Sequence, residues 1–247
     1  MSSKSNDQGR AFEMACLLAL VETIAKYRGK DKVVFVKNSS FEAAEKAWNH
    51  TDNSIQETLM KAANAMTEKL AGLEPIMVEN DSEIIVLKIQ KDKEGEKGDV
   101  RDILIIRGES GWEIGLSVKH NHFAVKHSRL SPSIDFGAKW YGIPCSETYW
   151  NAVSPIFDYL KGEKNNKSDW SDLPGKDKDV YIPLLNAFME EIKRANSVDP
   201  SFPRRMVEYL LGEYDFYKVI SIDSNKTTKI QSFNLRGTLN KPSRTKK

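Results

Sequence analysis

The sequence predicts an α/β or α+β protein, in which helices flank a central mixed β-sheet. Three observations support this fold class: helical periodicity dominates the first 72 residues, alternating apolar residues then mark a meander of three strands, and further helical segments precede two C-terminal strands. Such an order of elements is typical of a layered domain around one core. We find no internal repeat and no domain boundary, so we expect one domain over residues 1–240 and a basic, disordered tail over residues 241–247.

The N-terminal part is expected to be helical because its apolar residues recur every three or four positions. A first helix is predicted over residues 8–27. A second helical region starts near Ser39, where Ser39 and Glu42 have the spacing of a capping box. It breaks at residues 50–53 and restarts near Ser54.

The next region alternates in a period of two, which indicates strands rather than helices. Strands are predicted over residues 84–89, 100–107 and 112–119, with a charged turn at residues 91–98 and a tight connection at residues 108–111. Beyond the meander we expect helices at residues 146–160, 181–195 and 201–211, a polar loop at residues 162–179, and strands at residues 215–222 and 229–235.

Composition excludes several classes of protein. The 247 residues are 40% hydrophobic and 29% charged, which suits a chain with a sizeable core. No apolar run reaches the ~20 residues that a membrane span needs, since the longest candidate, residues 12–24, contains Glu13 and Glu22. The first ten residues are too polar for a signal peptide, and two cysteines are too few for a disulfide framework. We therefore expect a soluble, cytoplasmic protein.

The net charge of +2 conceals two halves of opposite sign. Residues 1–116 carry 16 basic and 20 acidic side chains, a balance of −4, and residues 117–247 carry 21 basic and 15 acidic ones, a balance of +6. The segment 224–247 has seven basic residues and no acidic one. A one-sided basic distribution is typical of a protein that binds a polyanion, although a solvated tail also explains the last segment.

Pairing in the second hairpin brings an aspartate and a lysine together. If residues 108–111 form a four-residue connection, the numbers of opposed residues sum to 219, so that Asp102 lies opposite Ser117. Lys119 then shares the sheet face of Asp102, because alternate residues of a strand point to the same side. Asp99 falls on the other face, and a register shift of one residue would reverse this ranking.

This pair of residues is suited to hydrolysis of a phosphodiester with the help of a metal ion. An aspartate can hold Mg²⁺, which neutralises phosphate charge and lowers the pKa of bound water. A lysine can orient that water or stabilise the crowded phosphate. Asp102, followed on the next strand by Lys119, resembles the Asp and (Asp/Glu)-x-Lys motif of the PD-(D/E)xK nuclease superfamily.

A longer set of residues resembles type II restriction endonucleases of the HaeIII type. It runs from Gly98-Asp-Val-Arg-Asp102 through Trp112-Glu-Ile-Gly-Leu-Ser-Val-Lys119-His-Asn-His122 to Lys126-His-Ser-Arg-Leu-Ser131. It also includes Asn6-Asp-Gln-Gly-Arg-Ala-Phe-Glu13, Asp135-Phe-Gly, Gly142-Ile-Pro-Cys-Ser146 and Asn234-Leu-Arg-Gly-Thr-Leu-Asn240. The resemblance implies a PD-(D/E)xK-like core in a single nuclease domain and Mg²⁺-dependent cleavage of double-stranded DNA. It further implies the palindrome GGCC, and therefore a homodimer or another two-fold assembly on DNA.

One position departs from the superfamily pattern. Ser117 stands where the second acidic residue is expected, and a neutral hydroxyl gives little charge to a divalent cation. The resemblance makes Glu13, on the first helix, the first candidate for the missing acid, followed by Asp135 and then Glu113. The catalytic set is then Asp102, Lys119, Ser117 and Glu13, with Asp102, Glu13 and Asp99 as candidate metal ligands.

Basic and amide side chains after the catalytic lysine are the candidates for DNA binding. Three of the four histidines lie within eight positions, but no paired cysteine or acid stands at the spacing that a zinc site needs. We therefore interpret them as donors to phosphates or base edges, together with neighbouring basic residues. The predicted DNA-binding residues are His120, Asn121, His122, Lys126, His127, Arg129 and Arg236.

Three functions fit the sequence. The resemblance favours a Mg²⁺-dependent type II restriction endonuclease, in which Asp102 and Glu13 bind the metal, Ser117 contacts metal-bound water and Lys119 assists attack. A second hypothesis is a structure-specific or repair nuclease, because the fold hosts many nucleases. A third is a non-catalytic DNA-binding module that lost its second acid at Ser117.

Overall fold

The computed structural model describes the backbone of residues 2–91, 98–125 and 128–240, and the side chains of these residues from Asp7 onward. The predicted tail, most of the predicted charged turn, and the two DNA-binding candidates Lys126 and His127 lie outside the described residues. The chain divides into two compact units. The first contains the residues up to Val125 and those from Gly212 on, and the second contains the residues between them. The expectation of one domain stays a prediction.

Helices form where the N-terminal sequence is amphipathic. They are α1 (Ser2–Arg28), α2 (Ser39–Asn49), α3 (Asn53–Leu73) and the short α4 (Pro75–Val78). α1 packs against both α2 and α3, and its segment from Ala11 to Leu20 is buried almost throughout. Together with α3 and the inner face of the sheet it forms the main hydrophobic core.

A mixed sheet of six strands completes the first unit, within the described residues. In spatial order the strands are β1 (Val33–Phe35), β2 (Ile85–Ile89), β3 (Ile103–Arg107), β4 (Trp112–His120), β5 (Phe216–Ile222) and β6 (Thr227–Phe233). The β2–β3, β3–β4 and β5–β6 pairs are antiparallel, and the β1–β2 and β4–β5 pairs are parallel. The predicted mixed sheet with a meander and flanking helices is confirmed.

The predicted hairpin register is also confirmed. Arg107 pairs with Trp112 and Ile103 with Leu116, so that the numbers of paired residues sum to 219. The ladder of β3 begins later than expected, at Ile103 instead of residue 100. The reason is local, because the N–H of Arg101 donates to the carboxylate of Asp99 and not to a facing strand.

Two predicted helix caps are wrong. Asn38, not Ser39, caps α2, since its side chain accepts hydrogen bonds from two amides of the first turn. Ser54 lies inside α3, which begins one residue earlier, after Asp52. Asn38 caps α2 because its side-chain carbonyl oxygen reaches the first-turn amides from the residue before the helix. β1, which the sequence did not predict, has only three residues and therefore too few for a period to be visible.

The second unit is helical. Its helices are α5 (Phe136–Tyr141), α6 (Glu147–Asn165), α7 (Ile182–Val198) and α8 (Phe202–Leu211). Ser146 caps α6 as predicted, because its Oγ accepts from the Tyr149 N–H at 3.1 Å. The ring of Phe136 lies 5.1 Å from those of both Trp140 and Tyr149, so the core of this unit is aromatic.

The polar segment after α6 is more ordered than the sequence predicts. α6 extends to Asn165, and the expected loop then contains a short 3-10 helix at Trp170–Asp172 and a π-helical turn at Lys176–Tyr181. Lys176 explains part of this order, because its ammonium donates to the Trp170 and Ser171 carbonyls. The prediction of a polar loop over the whole of residues 162–179 is therefore wrong in part.

Candidate active site

Asp102 and Lys119 meet at the open end of the β3–β4 hairpin. The Nζ atom of Lys119 lies 2.9 Å from Oδ2 of Asp102, and the Val118 N–H donates to the same oxygen at 2.6 Å. The Oγ of Ser117 lies 3.4 Å from it. The side chains of Asp102 and Lys119 are each 24% exposed, so the ion pair can be reached from solvent. The register correctly predicts that these side chains converge.

Backbone hydrogen bonds hold Asp102 at this position. Its N–H donates to the Leu116 carbonyl at 2.7 Å, and its carbonyl accepts from the Gln90 N–H at 2.8 Å. Asp102 is thus fixed between the strands on either side, one residue before the β3 ladder begins. Strand pairing alone therefore places its carboxylate beside the last residues of β4.

α1 brings Glu13 to the same end of the sheet. The ring of Phe12 lies 6.4 Å from the ring of His120, the last residue of β4. Cys16, one turn further along α1, is fully buried. Burial, together with the negative charges of Glu13 and Asp102, raises the pKa of its thiol. Glu13, next to Phe12 in α1, therefore lies toward the end of the sheet at which β4 ends.

The site fits a hard divalent cation that few protein ligands hold. The hydrogen bonds described for the Asp102 carboxylate all fall on Oδ2, which leaves Oδ1 without a donor among the described residues. Mg²⁺ keeps several waters and usually binds one or two carboxylates plus phosphate oxygens, a demand that Asp102 and Glu13 can meet. Along the described ranges there is no group of three or more Asp, Glu, His or Cys residues that could hold a metal.

Asp99 belongs to a separate ion-pair cluster. Its carboxylate accepts from Arg101 at 2.8 Å and from the Gln90 side chain at 2.7 Å. Burial raises the pKa of Asp99, but hydrogen bonds from Arg101 and Gln90 outweigh burial, and the pKa lies below its ordinary value. Arg101 also binds Glu113 at 2.7 Å. One guanidinium thus engages both Asp99 and Glu113, which gives no support to either as a metal ligand.

Asp135 is also occupied by structural hydrogen bonds. Its Oδ1 caps α5 through the Ala138 N–H at 2.9 Å and accepts from the Cys145 N–H at 3.1 Å. Burial raises the pKa of Asp135, and the backbone hydrogen bonds lower it to below its ordinary value. Of the three candidates for the missing acid, Asp135 and Glu113 are thus engaged in these contacts, and Glu13 lies on α1 next to Phe12, whose ring is near His120 at the end of β4.

His120 and Asn121 bind the turn after β5. The Nε2 of His120 and the Nδ2 of Asn121 each lie 2.9 Å from Oδ2 of Asp223, and the Asp223 N–H donates to the Asn121 side chain at 2.9 Å. The His120 side chain is 8% exposed. These contacts favour a role in fixing the end of β4, and direct DNA contact by the two residues stays an untested prediction.

The remaining DNA-binding candidates are distributed over both units. His122 is half-buried and Arg236 is exposed in the first unit, and Arg129 is exposed in the second. The backbone at Arg236 is fixed, because its N–H donates to Asp215 at 2.9 Å. The structure thus places these residues without testing their roles.

One basic residue of the site was missed by the sequence analysis. Lys218 on β5 pairs with Ser117 in the parallel β4–β5 ladder, so the two side chains lie on one side of the sheet. We call this side, which also carries Lys119, the Lys119 face. Lys218 is 1% exposed. Its position becomes visible only when β5 is paired with β4, because a lone lysine inside an apolar strand does not show which neighbours it will have.

A mixed sheet that joins an aspartate and a lysine from adjacent strands, beside a helix that carries a glutamate, is the arrangement expected of a nuclease of the PD-(D/E)xK type. The comparisons with known proteins agree. A model of the HaeIII restriction endonuclease family matches residues 9–247. The chain is 48% identical over 248 residues to the type II restriction enzyme HaeIII of Haemophilus aegyptius, a match that covers 100% of this chain and 77% of that relative. No solved structure matches it. The chain therefore belongs to the HaeIII restriction endonuclease family.

Family membership decides among the three functions that fit the sequence. The chain is a type II restriction endonuclease, which hydrolyses phosphodiester bonds of double-stranded DNA at specific sites. A repair nuclease and a non-catalytic module are not supported. Enzymes of this class generally use a divalent metal ion. Along the part of the chain that the structure describes, no helix has both the length and the apolar surface needed to cross a membrane.

Proposed function

We propose that this restriction endonuclease cleaves DNA with Mg²⁺ held by Asp102 and Glu13 and with Lys119 as the assisting cation. The observation that carries this proposal is the 2.9 Å ion pair between Lys119 and Asp102, which stands at the open end of a hairpin and leaves one carboxylate oxygen for a ligand. Asp99 remains a third predicted metal ligand, but its contacts with Arg101 give it less support.

The chemistry of cleavage follows from the positions of these side chains. Mg²⁺, when bound, would neutralise the charge of the scissile phosphate and lower the pKa of a coordinated water. Lys119, held by Oδ2 of Asp102, can donate to an attacking water or to a phosphate oxygen that gains charge. Ser117 offers a hydroxyl beside the same carboxylate and supplies a hydrogen bond but no charge. The second negative charge that a metal requires comes from Glu13.

The proposal includes recognition of GGCC, the sequence that the resemblance to the HaeIII type implies. A palindrome presents two identical half-sites, so we propose that two copies of the chain bind it as a two-fold assembly. The candidate contacts to phosphates and bases remain His120, Asn121, His122, Lys126, His127, Arg129 and Arg236. Because the substrate is DNA inside the cell, a cytoplasmic site of action is part of the same proposal.

Removal of the Lys119 ammonium tests the catalytic assignment. We expect Lys119→Ala to lower the cleavage rate by about 10²-fold to 10⁴-fold, because a group that stabilises developing charge contributes on this scale. The rate is measured on plasmid DNA of known sequence with Mg²⁺. DNA affinity, measured with Ca²⁺ in place of Mg²⁺, should stay within about threefold.

The matched control is Lys229→Ala, which removes an exposed lysine of β6. This control should cleave like the unmodified enzyme. Retained cleavage in Lys119→Ala would contradict the assignment. The fragment lengths from the same plasmid test GGCC, since fragments that do not end at GGCC sites would contradict that sequence.

A further inference from the structure

Lys218 lies in the middle of the Lys119 face. The parallel register of β4 and β5 pairs Ser117 with Lys218 and Lys119 with Ile220. Lys218 is therefore the direct neighbour of Ser117 and the diagonal neighbour of Lys119. Adjacent strands are about 4.8 Å apart, so the two lysine side chains begin within reach of each other.

The environment of Lys218 is unusual for a lysine. Its side chain is 1% exposed, and within the described ranges no carboxylate lies at ion-pair distance from its ammonium. The acceptor that the structure gives it is the main-chain carbonyl of Phe123. Burial of an ammonium group without a carboxylate partner is unfavourable, and an apolar side chain of equal length would fit the core better. Folding stability alone therefore gives no reason for a lysine here.

The charge of Lys218 acts on the catalytic lysine. Lys218 and Lys119 are diagonal neighbours on adjacent strands. Burial, and after it the positive charge of Lys119, lowers the pKa of Lys218. Like charges repel, and Lys119 is bound on its other side by Asp102. Repulsion between the two ammonium groups would therefore favour a Lys119 ammonium that lies away from β5 and beside the carboxylate.

The repulsion between Lys218 and Lys119 depends on the serine at position 117. An aspartate or glutamate at position 117, as the superfamily pattern has it, would lie beside Lys218 and pair with it. A serine leaves the charge of Lys218 uncompensated. The departure from the pattern at Ser117 and the buried cation at Lys218 are thus two parts of one arrangement.

The contact with Phe123 fixes the segment that follows Lys119. Lys218 holds the Phe123 carbonyl, and Asp223 holds His120 and Asn121. Both anchors come from β5 or the turn after it. The chain that leaves the catalytic lysine is therefore held against β5 at two points.

We propose that Lys218 is a positioning residue for DNA cleavage, which holds the segment after Lys119 in place and directs the Lys119 ammonium toward Asp102. This inference rests on the proposed function, in which Lys119 and Asp102 act on the phosphate. Lys218 itself touches no substrate, because it is buried beneath the segment that it holds.

Lys218→Met tests the proposal, because methionine keeps the length and the apolar stem but removes the charge and the donor. We expect the single-turnover cleavage rate to fall at least tenfold, while the DNA affinity in Ca²⁺ stays within about twofold and the thermal unfolding midpoint does not fall. Lys229→Met is the matched control on the exposed edge strand and should leave all three measurements unchanged. A Lys218→Met enzyme that cleaves at the unmodified rate would overturn the proposal.

A double-mutant cycle separates positioning from a structural role. If Lys218 acts through Lys119, adding Lys218→Met to Lys119→Met should not lower the residual cleavage further. A structural role would lower it again by the same factor, and that result contradicts the proposal. If Lys218→Met does not fold, Lys218→Gln replaces it, since glutamine keeps a donor without charge, and an unmodified rate in that variant would also contradict the proposal.

The single variants of this cycle distinguish a failure of the proposed active site from a failure of the proposed role of Lys218. If Lys119→Met cleaves normally, the proposed active site itself is wrong. If Lys119→Met is inactive and Lys218→Met is fully active, the active site stands and the role of Lys218 alone fails.

Discussion

At the scale of single residues, Gly115 shows how closely the β3–β4 hairpin is packed beside the site. A Cβ at this position would come within 2.1 Å of Cδ and 2.6 Å of Cγ of Arg101. The Arg101 side chain crosses the strand there, pairs with Asp99 and Glu113, and places its guanidinium 3.9 Å from the centre of the Tyr214 ring. The glycine is needed for this close approach and not for its backbone angles.

Gly115→Ala should therefore destabilise the protein by about 1–3 kcal/mol, because the methyl group displaces the arginine from its two carboxylates. Chemical denaturation monitored by circular dichroism measures the change. Gly72→Ala is the control, since a Cβ at Gly72 in α3 meets nothing within 4 Å. That variant should be as stable as the unmodified chain or up to about 1 kcal/mol more stable. Equal stability of the two variants would refute the packing argument.

At the scale of elements, two arginines tie α1 and β3 to the segment before β2. Arg107 of β3 is 0% exposed and binds Asp81 and Glu83, and Arg28 at the end of α1 binds Asp81 at 2.8 Å. Burial raises the pKa of Asp81, but hydrogen bonds from Arg107 and Arg28 outweigh it and lower that pKa to about 2. The two arginines therefore favour the charged form of this carboxylate in the folded protein.

The pH dependence of unfolding should show this cluster. Because the pKa of Asp81 is lower in the folded state, its contribution is complete above the ordinary value of 3.8 and is lost as the pH falls toward about 2. We expect Asp81→Asn to lower the free energy of unfolding by about 1–2 kcal/mol at pH 6, a range reduced for the partial exposure of this side chain. The difference should narrow near pH 2.5 in urea denaturation series. Asp31→Asn, at an exposed position, is the control. A difference in the free energy of unfolding that does not depend on pH would contradict the assigned role of the Asp81 carboxylate.

At the scale of the whole molecule, the excess of positive charge is more localised than a comparison of residues 1–116 with residues 117–247 indicates. The second unit, residues 126–211, carries 12 basic and 12 acidic residues and is neutral. Residues 241–247 carry four basic residues and no acid, so residues 1–240 have 33 basic and 35 acidic ones, a balance of −2. The excess of positive charge thus resides in the last seven positions of the chain.

Replacement of the four basic residues of this tail by glutamine should weaken DNA binding mainly through its electrostatic part. We expect the slope of log K against log salt concentration to decrease in magnitude by up to about 3–4, since each phosphate contact contributes about 0.9. Fluorescence anisotropy with a duplex lacking GGCC, at several salt concentrations, measures the slope. The single-turnover rate on a saturated GGCC duplex should not change. An unchanged slope would show that the tail is only solvated.

The sequence by itself determined the local part of the site. The meeting of Asp102, Ser117 and Lys119 follows from a period of two and a connection of four residues, because a hairpin fixes its own register over a short stretch of chain. The cap at Ser146 is local in the same sense. Such features depend on neighbouring residues only, and a pattern in the sequence contains them.

Only the tertiary structure decided which distant residues join that hairpin. The packing of α1 brings Glu13 toward the end of the sheet that carries Asp102, and the parallel pairing of β5 brings Lys218 beside Ser117. These contacts link elements that are up to about a hundred residues apart, and no period or spacing encodes them. They form because α1 packs on the sheet and β5 pairs with β4 within it, and burial of their apolar residues in one core carries their charged side chains toward the end of the hairpin.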